Sequence, residues 1–245
     1  MIIAKKSLGQ NFLIDKNIIN KIINTIEITN QNIIEIGPGL GALTEKILEK
    51  KPKKLIIIEK DFELYKKLLN KFDKKKIIII NDDALLYDFS NLKNFKVISN
   101  LPYNISSKFL LKILKLNNNF TDLVCMIQSE LADKLNYNNG KMNKYKFICK
   151  YCGRYKILFN VSPNVFYPKP KVNSKVVKFE LIKKNINSQN LDCFINQFFI
   201  NKRKKLKSNK NIKDFIDTTI ENKRYEDLRY SEILNVYERF NFFLS

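Results

Sequence analysis

The stretch Asn100-Leu101-Pro102-Tyr103 combines groups that suit a flat heterocycle with an exocyclic amino group. Asn100 offers an amide oxygen as an acceptor, and the Leu101 carbonyl is free of regular pairing because Pro102 cannot continue it. The heterocycle would stack on Tyr103 while its amino group donates to both acceptors. A strand-to-helix turn with proline at the helix start has the same sequence. The motif therefore needs support from the rest of the chain.

A glycine-rich turn and two carboxylates indicate a nucleoside cofactor. Gly37, Gly39 and Gly41 follow a short apolar run and allow a tight turn with close backbone approach to a ligand. Their GxGxG spacing differs from the GxGxxG of dinucleotide-binding folds. Glu59 lies 22 residues after Gly37, where a carboxylate can accept from two ribose hydroxyls. Asp83 can accept from an adenine amino group. S-adenosyl-L-methionine fits this set best because no phosphate has to be bound.

The elements that must position these groups form a parallel, doubly wound α/β sheet. Amphipathic helical stretches alternate with predicted strands, which span residues 33–36, 55–58, 77–80, 95–99 and 123–127. Because parallel strands end at one edge of their sheet, the glycine turn, both carboxylates and the Asn100 motif should meet there. After Tyr155 the pattern changes, and residues 156–161 and 174–181 alternate like antiparallel strands.

A polar stretch at residues 183–190 has the composition of a linker. We therefore predict two domains. Residues 1–183 carry the cofactor and catalytic motifs, and residues 184–245 form a small helical domain.

The charge of the chain predicts a nucleic-acid partner. The net charge is +21, from 45 Lys+Arg against 24 Asp+Glu, which points to an anionic polymer or surface. Residues 141–184 hold 12 basic residues and one acid, Glu180. An AT-rich genome would add lysine everywhere, but it would not remove acids from one stretch. A second basic run lies at residues 201–206.

Several classes of chemistry are disfavoured. The chain has no histidine, so histidine-based general bases and triads are excluded. Cys149 and Cys152 match a CxxC pattern, but a metal site needs two further ligands, and we expect no metal. No apolar run has the length of a membrane span or of a signal peptide. We expect a cytoplasmic protein that does not contact a membrane, with an organellar location left open.

Together the motifs resemble those of the KsgA-type small-subunit ribosomal RNA adenine N6,N6-dimethyltransferases, over nearly the whole chain. The resemblance is carried by Ser7-Leu8-Gly9-Gln10-Asn11-Phe12-Leu13, by Glu35–Gly41, Glu59, Asp83 and Asn100–Tyr103, and by Phe166-Tyr167-Pro168-Lys169-Pro170-Lys171-Val172. It implies an α/β fold, a Rossmann-like class I methyltransferase sheet with a small C-terminal helical domain that binds RNA. It also implies S-adenosyl-L-methionine as the cofactor and N6,N6-dimethylation of adenosines as the reaction.

The resemblance assigns roles to individual residues. It implies that the cofactor site is formed by Gln10, Asn11, Leu13, Gly37, Gly39, Gly41, Glu59, Asp83 and Asn100. It implies that Tyr103 and Phe166 sandwich the target adenine beside the acceptors of Asn100 and Leu101, with Pro102 shaping the turn. The expected RNA contacts are Lys169, Lys171, Lys202, Arg203, Lys204 and Lys205.

Two other functions are open. The erythromycin-resistance methyltransferases, which modify large-subunit rRNA, are similar, but they usually carry Ser and Lys where this chain has Pro38 and Leu40, and Ile in place of Leu101. A non-catalytic ribosome-assembly factor would use the same basic surface. The expected partner is small-subunit rRNA in a pre-ribosomal particle, bound by a monomer and linked to small-subunit assembly.

Overall fold

A computed structural model of the chain describes residues 4–5, 8–201 and 203–244. Its strands are β1 (Phe12–Leu13), β2 (Asn32–Ile36), β3 (Lys54–Glu59), β4 (Ile78–Asn81), β5 (Phe95–Asn100), β6 (Phe120–Gln128), β7 (Gly153–Val161), β8 (Phe166–Tyr167) and β9 (Ser174–Leu181). Its α-helices are α1 (Lys16–Ile23), α2 (Ala42–Glu49), α3 (Phe62–Lys71), α4 (Ser106–Leu114), α5 (Ser129–Leu135), α6 (Lys144–Cys152), α7 (Ser188–Phe198) and α8 (Tyr230–Phe243).

The central sheet has the strand order β4-β3-β2-β5-β6-β9-β7 in the described part of the chain. The strands from β4 to β6 pair in parallel, and β9 pairs antiparallel with both β6 and β7. This confirms the predicted α/β class with an antiparallel extension. The strand order reverses between β2 and β5, which is where open α/β sheets bind their ligands.

The central strands β2, β3 and β5 are buried on both faces of the sheet, which explains their continuous apolar runs. Neighbouring residues of β2 point to opposite sides: Ile33 packs with α1 and α2, whereas Ile34 belongs to the cluster under α4. The helices α1, α3, α6 and α7 begin at residues whose side chains cap the first turn. Asp15 Oδ1 accepts from the Ile18 amide at 2.9 Å at the start of α1.

The C-terminal helices share a buried cluster with one face of the sheet. The ring of Phe147 in α6 lies 5.7 Å from Phe194 in α7 and 6.0 Å from Tyr237 in α8, measured between ring centroids. The predicted boundary between residues 183 and 184 falls between the end of β9 and the start of α7. The two-domain division itself stays a prediction.

Two further features concern metal binding and membrane insertion. Cys149 and Cys152 are buried in α6, and the described residues contain no group of His, Cys, Asp and Glu suited to a metal ion. Within the described ranges, no helix combines the length and apolar character needed to cross a membrane.

Candidate cofactor and target-base site

One cleft of about 1000 Å³, open mouth included, lies at the carboxyl ends of β2, β3, β4 and β5. This is the edge of the sheet at which the glycine turn, both carboxylates and the Asn100 motif were predicted to meet. Eleven of the residues predicted to act there lie in its wall: Gln10, Asn11, Leu13, Gly37, Gly39, Glu59, Asp83, Asn100, Leu101, Pro102 and Tyr103. The cleft therefore brings the predicted cofactor residues and the predicted target-base motif together.

The turn after β2 favours glycine at two of its positions. Gly37 and Gly39 have φ angles of 62° and 59°, in the left-handed region that side chains disfavour. A Cβ on Gly39 would lie 3.0 Å from the Phe12 ring, and one on Gly37 would lie 3.2 Å from Pro102. The turn is thus packed against both the N-terminal segment and the Asn100 motif.

Gly41, predicted to bind the cofactor, lies where the turn meets the end of α3. It precedes α2 with φ 80°, and a Cβ there would lie 2.8 Å from the Phe72 ring, so the position is closed by packing. Its neighbours Leu40 and Ala42 line the cleft. The role of Gly41 in cofactor binding stays a prediction.

Glu59 is buried at the end of β3 and is held by backbone amides. Its Oε2 accepts from the Gly39 amide at 3.1 Å, and its Oε1 accepts from the Asp61 amide at 2.8 Å. Burial raises the pKa of this carboxyl, against the effect of those amides. Each carboxylate oxygen keeps a second lone pair, so Glu59 can still accept from hydroxyl groups in the cleft.

Asp83 carries a partner that the sequence did not indicate. Its Oδ2 lies 2.8 Å from the Lys60 ammonium, and its Oδ1 accepts from the Leu85 amide at 2.8 Å. Burial acts to raise the pKa of Asp83, but the hydrogen bonds from Lys60 and Leu85 bring it below its usual value. The residue is therefore an ionised acceptor at neutral pH. The position of Lys60, directly after Glu59, was the available signal.

The N-terminal segment is tied to the start of α3 through Asp61, a second residue that sequence reasoning missed. The buried carboxylate of Asp61 accepts from Lys5 Nζ and from Gln10 Nε2, both at 2.8 Å, and it also caps α3 through the Glu63 amide. The Gln10 side chain thus holds its own segment in place. That segment, residues 8–13, lines the cleft.

The amide of Asn100 has one orientation that its neighbours allow. Its Nδ2 donates to the backbone carbonyl of Asn11 at 3.0 Å. Because a carbonyl can only accept, the NH2 group must face Asn11, and the amide oxygen is left as the acceptor. Among the described residues, the Leu101 carbonyl has one long contact, at 3.5 Å, with the Ser106 hydroxyl, which donates to the Pro102 carbonyl at 2.9 Å.

The ring of Tyr103 is anchored by its hydroxyl, which lies 2.6 Å from Ser174 Oγ. Burial raises the pKa of Tyr103, so the phenol is neutral at physiological pH. Ser174 is buried at the start of β9, and nothing in the sequence connected it with Tyr103.

Phe166 is buried beside the N-terminal segment. The ring is 3% exposed and packs among the apolar residues under α1, and the residue pairs across β1 and β8 with Leu13. The next residue, Tyr167, is 55% exposed, because side chains alternate along β8. The sandwich of Tyr103 and Phe166 around the target base stays a prediction.

A further acid lies in the cleft wall. Glu35 in β2 is 1% exposed, and its Oε2 accepts from the Thr44 hydroxyl at 2.6 Å. Burial raises its pKa to about 8, opposed by the Thr44 hydrogen bond and reinforced by the charge of Glu59. Glu35 is therefore mostly protonated at neutral pH.

The predicted RNA contacts lie on the surface where the structure describes them. Exposed side chains are those of Lys169, Lys171, Arg203, Lys204 and Lys205, and Lys202 lies outside the described residues.

Part of the basic stretch at 141–184 is neutralised by acids from other elements. Lys141 pairs with Glu226 and Asp227, at 3.0 and 3.2 Å, and Lys175 pairs with Asp133. The deficit of acids in the sequence thus overstates the charge available to a partner.

The chain is similar to known proteins in its sequence and in its fold. The sequence profile of the ribosomal RNA adenine dimethylase family matches residues 2–241. The chain is 42% identical over 214 residues to the ribosomal RNA small subunit methyltransferase A of Pelagibacter ubique, which covers 83% of this chain and 81% of that protein. The protein of the same name from Mycoplasmopsis synoviae is 39% identical over 242 residues, covering 96% and 92%.

Two solved structures share the fold. A dimethyladenosine transferase from Plasmodium falciparum has a TM-score of 0.77 at 24% identity, covering 94% of this chain and 97% of that one. The 23S rRNA methyltransferase ErmE has a TM-score of 0.72 at 20% identity, covering 94% of this chain and 100% of that one. At these identities the likeness concerns the fold alone.

Proposed function

This chain belongs to the ribosomal RNA adenine dimethylase family, and on that premise we propose that it dimethylates N6 of adenosines in small-subunit ribosomal RNA, with S-adenosylmethionine as the methyl donor. The observation that carries the proposal is the orientation of Asn100. Its NH2 group is engaged by Asn11, so an acceptor oxygen stands beside Tyr103 at the edge of the cofactor cleft.

The cleft residues suit a nucleoside without phosphate groups. Gly37 and Gly39 let the backbone approach a ligand, and Glu59 and Asp83 supply carboxylate acceptors at the ends of adjacent strands. Glu59 would accept from the ribose hydroxyls and Asp83 from the adenine amino group, with the backbone of Asn11 and Leu13 closing the site. The cofactor, when bound, supplies a methyl group activated by a positively charged sulfur.

The residues around the target base act on a poor nucleophile. The lone pair of adenine N6 is delocalised into the ring. Hydrogen bonds from the amino group to Asn100 Oδ1 and to the Leu101 carbonyl favour a pyramidal nitrogen and aim its lone pair toward the cleft. Tyr103, held by Ser174, provides the stacking surface. After transfer the N6 proton leaves to water, and histidine takes no part because the chain has none.

The base must be unpaired when it enters, because N6 cannot be reached inside a helix. We further propose that a monomer acts on a pre-ribosomal particle in the cytoplasm. The exposed Lys169, Lys171 and the 203–205 run would contact its phosphates.

Incubation with labelled S-adenosylmethionine and purified ribosomal subunits tests the proposal. We expect label in small-subunit rRNA, recovered after digestion as N6,N6-dimethyladenosine, and a much lower initial rate of labelling with the Asn100→Ala variant. Label confined to the large subunit would indicate the erythromycin-resistance activity instead. Binding to small subunits without any label would indicate a non-catalytic assembly factor.

A further inference from the structure

A lysine outside the cleft holds the loop that carries Asp83. Lys112 Nζ, in α4, donates to three backbone carbonyls of that loop: Ala84 at 3.4 Å, Leu85 at 2.8 Å and Tyr87 at 2.7 Å. Its side chain lines a separate depression, behind the loop, that Leu86 and Ser90 also line. Lys112 therefore supports the loop from the side opposite the cofactor cleft.

The backbone N–H groups of the loop donate their hydrogen bonds to Asp83 itself. The amides of Leu86 and Tyr87 both donate to the Asp83 carbonyl at 2.8 Å, and the Leu85 amide donates to its side chain. The backbone amides of this turn thus donate to Asp83, and the backbone carbonyls of the turn accept from the ammonium group of Lys112. Removal of the ammonium would leave partly buried carbonyls without their donor, and the turn that sets the Asp83 carboxylate would relax.

Lys112 also connects this loop to the target-base motif. α4 begins at Ser106, whose hydroxyl donates to the Pro102 carbonyl at 2.9 Å, and Lys112 lies six residues later on the same helix. One rigid helix therefore contacts both the adenine side of the cofactor cleft and the turn that presents Leu101.

We propose that Lys112 is a positioning residue for the cofactor, acting through the loop that carries Asp83. The inference rests on the proposed function, in which Asp83 accepts from the 6-amino group of the cofactor's adenine. Its specific consequence is that the contribution of Lys112 to affinity depends on that amino group.

Calorimetry with two ligands separates this role from general support of the fold. The ligands are S-adenosylhomocysteine and its analogue with hydrogen in place of the 6-amino group. For Lys112→Met we expect affinity for S-adenosylhomocysteine to fall on the order of 10-fold, while affinity for the deaminated analogue stays within about 2-fold of the parent's value.

Lys115→Met is the matched control. Lys115 caps the end of α4 and lines the same depression, but its ammonium pairs with Asp192 of α7 at 2.6 Å instead of with the carbonyls of the Asp83 loop. We expect this variant to bind both ligands as the parent does. If Lys112→Met does not fold, Lys112→Gln, which keeps two N–H donors, is compared in the same way.

Unchanged affinity for S-adenosylhomocysteine in the Lys112 variant would overturn the inference. Equal losses for both ligands would also overturn it, since the loss would not pass through Asp83. If the parent protein binds neither ligand, the proposed function fails, and the inference fails with it.

Discussion

The polar side chains of the cleft are oriented by groups that lie far away in the sequence. Asn100 is turned by the Asn11 carbonyl, Tyr103 by the Ser174 hydroxyl, and Glu59 by the Gly39 amide. Such contacts fix the direction of a lone pair or the plane of a ring before substrate arrives, which is the condition for electrostatic stabilisation of a transition state. Single substitutions in these pairs should therefore affect the reaction in different ways.

Asn100→Ala should lower methyl transfer far more than ribosome binding. It removes the oriented acceptor while Pro102 and Tyr103 still shape the turn. By analogy with deleting one transition-state donor, the rate should fall on the order of 10²–10³. Single-turnover assays at saturating RNA measure this directly. A variant that transfers methyl groups at nearly the parent rate would disprove the acceptor role.

Tyr103→Phe and Ser174→Ala should have similar effects, because each breaks the same hydrogen bond and keeps the stacking ring. We expect each variant to lower the transfer rate roughly 3- to 10-fold, about the value of one neutral hydrogen bond, with the double variant no worse than either. The fluorescence of 2-aminopurine at the target position reports stacking on the ring. Additive losses in the double variant would mean that Ser174 acts on something other than Tyr103.

Glu35 makes stability depend on pH. Its folded-state pKa of about 8 lies above the usual value of 4.5, so the native state keeps a proton that the unfolded state releases. Stability therefore falls as pH rises from about 4.5 to about 8. Glu35→Gln keeps an acceptor for Thr44 and should raise the free energy of unfolding at pH 8 by at least about 1 kcal/mol.

Urea unfolding of the cofactor-free protein at pH 5 and pH 8 measures this change. Glu49→Gln is the control, because Glu49 is exposed, and it should stay within about 0.5 kcal/mol of the parent at both values. An equal effect of Glu35→Gln at the two pH values would show that burial does not hold the proton.

At the scale of elements, the N-terminal segment behaves as a strap between α3 and the end of β5. Asp61, at the start of α3, accepts hydrogen bonds from Lys5 and Gln10. Asn100, at the end of β5, donates to the Asn11 carbonyl. Since residues 8–13 form part of the cleft wall, the strap must be in place for the cofactor site to be complete.

Asp61→Asn should release this strap without unfolding α3. The oxygen of asparagine can still accept from the Glu63 amide and from Lys5, but its NH2 group would then face the NH2 donor of Gln10. We expect faster amide hydrogen exchange in residues 8–13, weaker binding of S-adenosylhomocysteine on the order of 10-fold, and little change in Tm.

Asp15→Asn provides the comparison, because Asp15 also caps a helix but lies outside the strap's contacts with α3. It should leave exchange in residues 8–13 at the parent's rate. Exchange that is equally slow in both variants would rule out the strap role of Asp61.

At the scale of the whole molecule, the positive charge available to an RNA partner depends on which lysines pair with acids inside the fold. The net charge of +21 favours an RNA partner, but Lys141 and Lys175 are neutralised within the fold. The exposed Arg203, Lys204 and Lys205 are therefore better candidates for phosphate contacts than the stretch at 141–184 taken as a whole.

Replacing Arg203, Lys204 and Lys205 with Gln should flatten the salt dependence of RNA binding. Each lost phosphate contact reduces the slope of log K against log[salt] by about 0.7–0.9. The matched control replaces Lys74, Lys75 and Lys76, three exposed lysines before β4 at the edge opposite the cleft. Parallel slopes for the parent and the 203–205 variant would show that this run does not contact phosphate.

The sequence by itself determined the fold class, the edge of the sheet that carries the chemistry, and the family. Apolar strand runs alternating with helical stretches require a parallel sheet, and parallel strands bring the glycine turn, Glu59, Asp83 and Asn100 to one edge. These inferences succeed because they depend on periodicity and on strand ends, which are local properties.

Only the tertiary structure decided which groups hold those residues in place. The partners of Asp83, Asn100 and Tyr103 are Lys60, Asn11 and Ser174, of which two lie 71 or more residues away in the chain. The packing of Gly41 against Phe72 and the burial of Phe166 likewise follow from contacts between elements. A motif specifies residue types at an edge, whereas hydrogen-bond partners and burial depend on how distant elements meet in three dimensions.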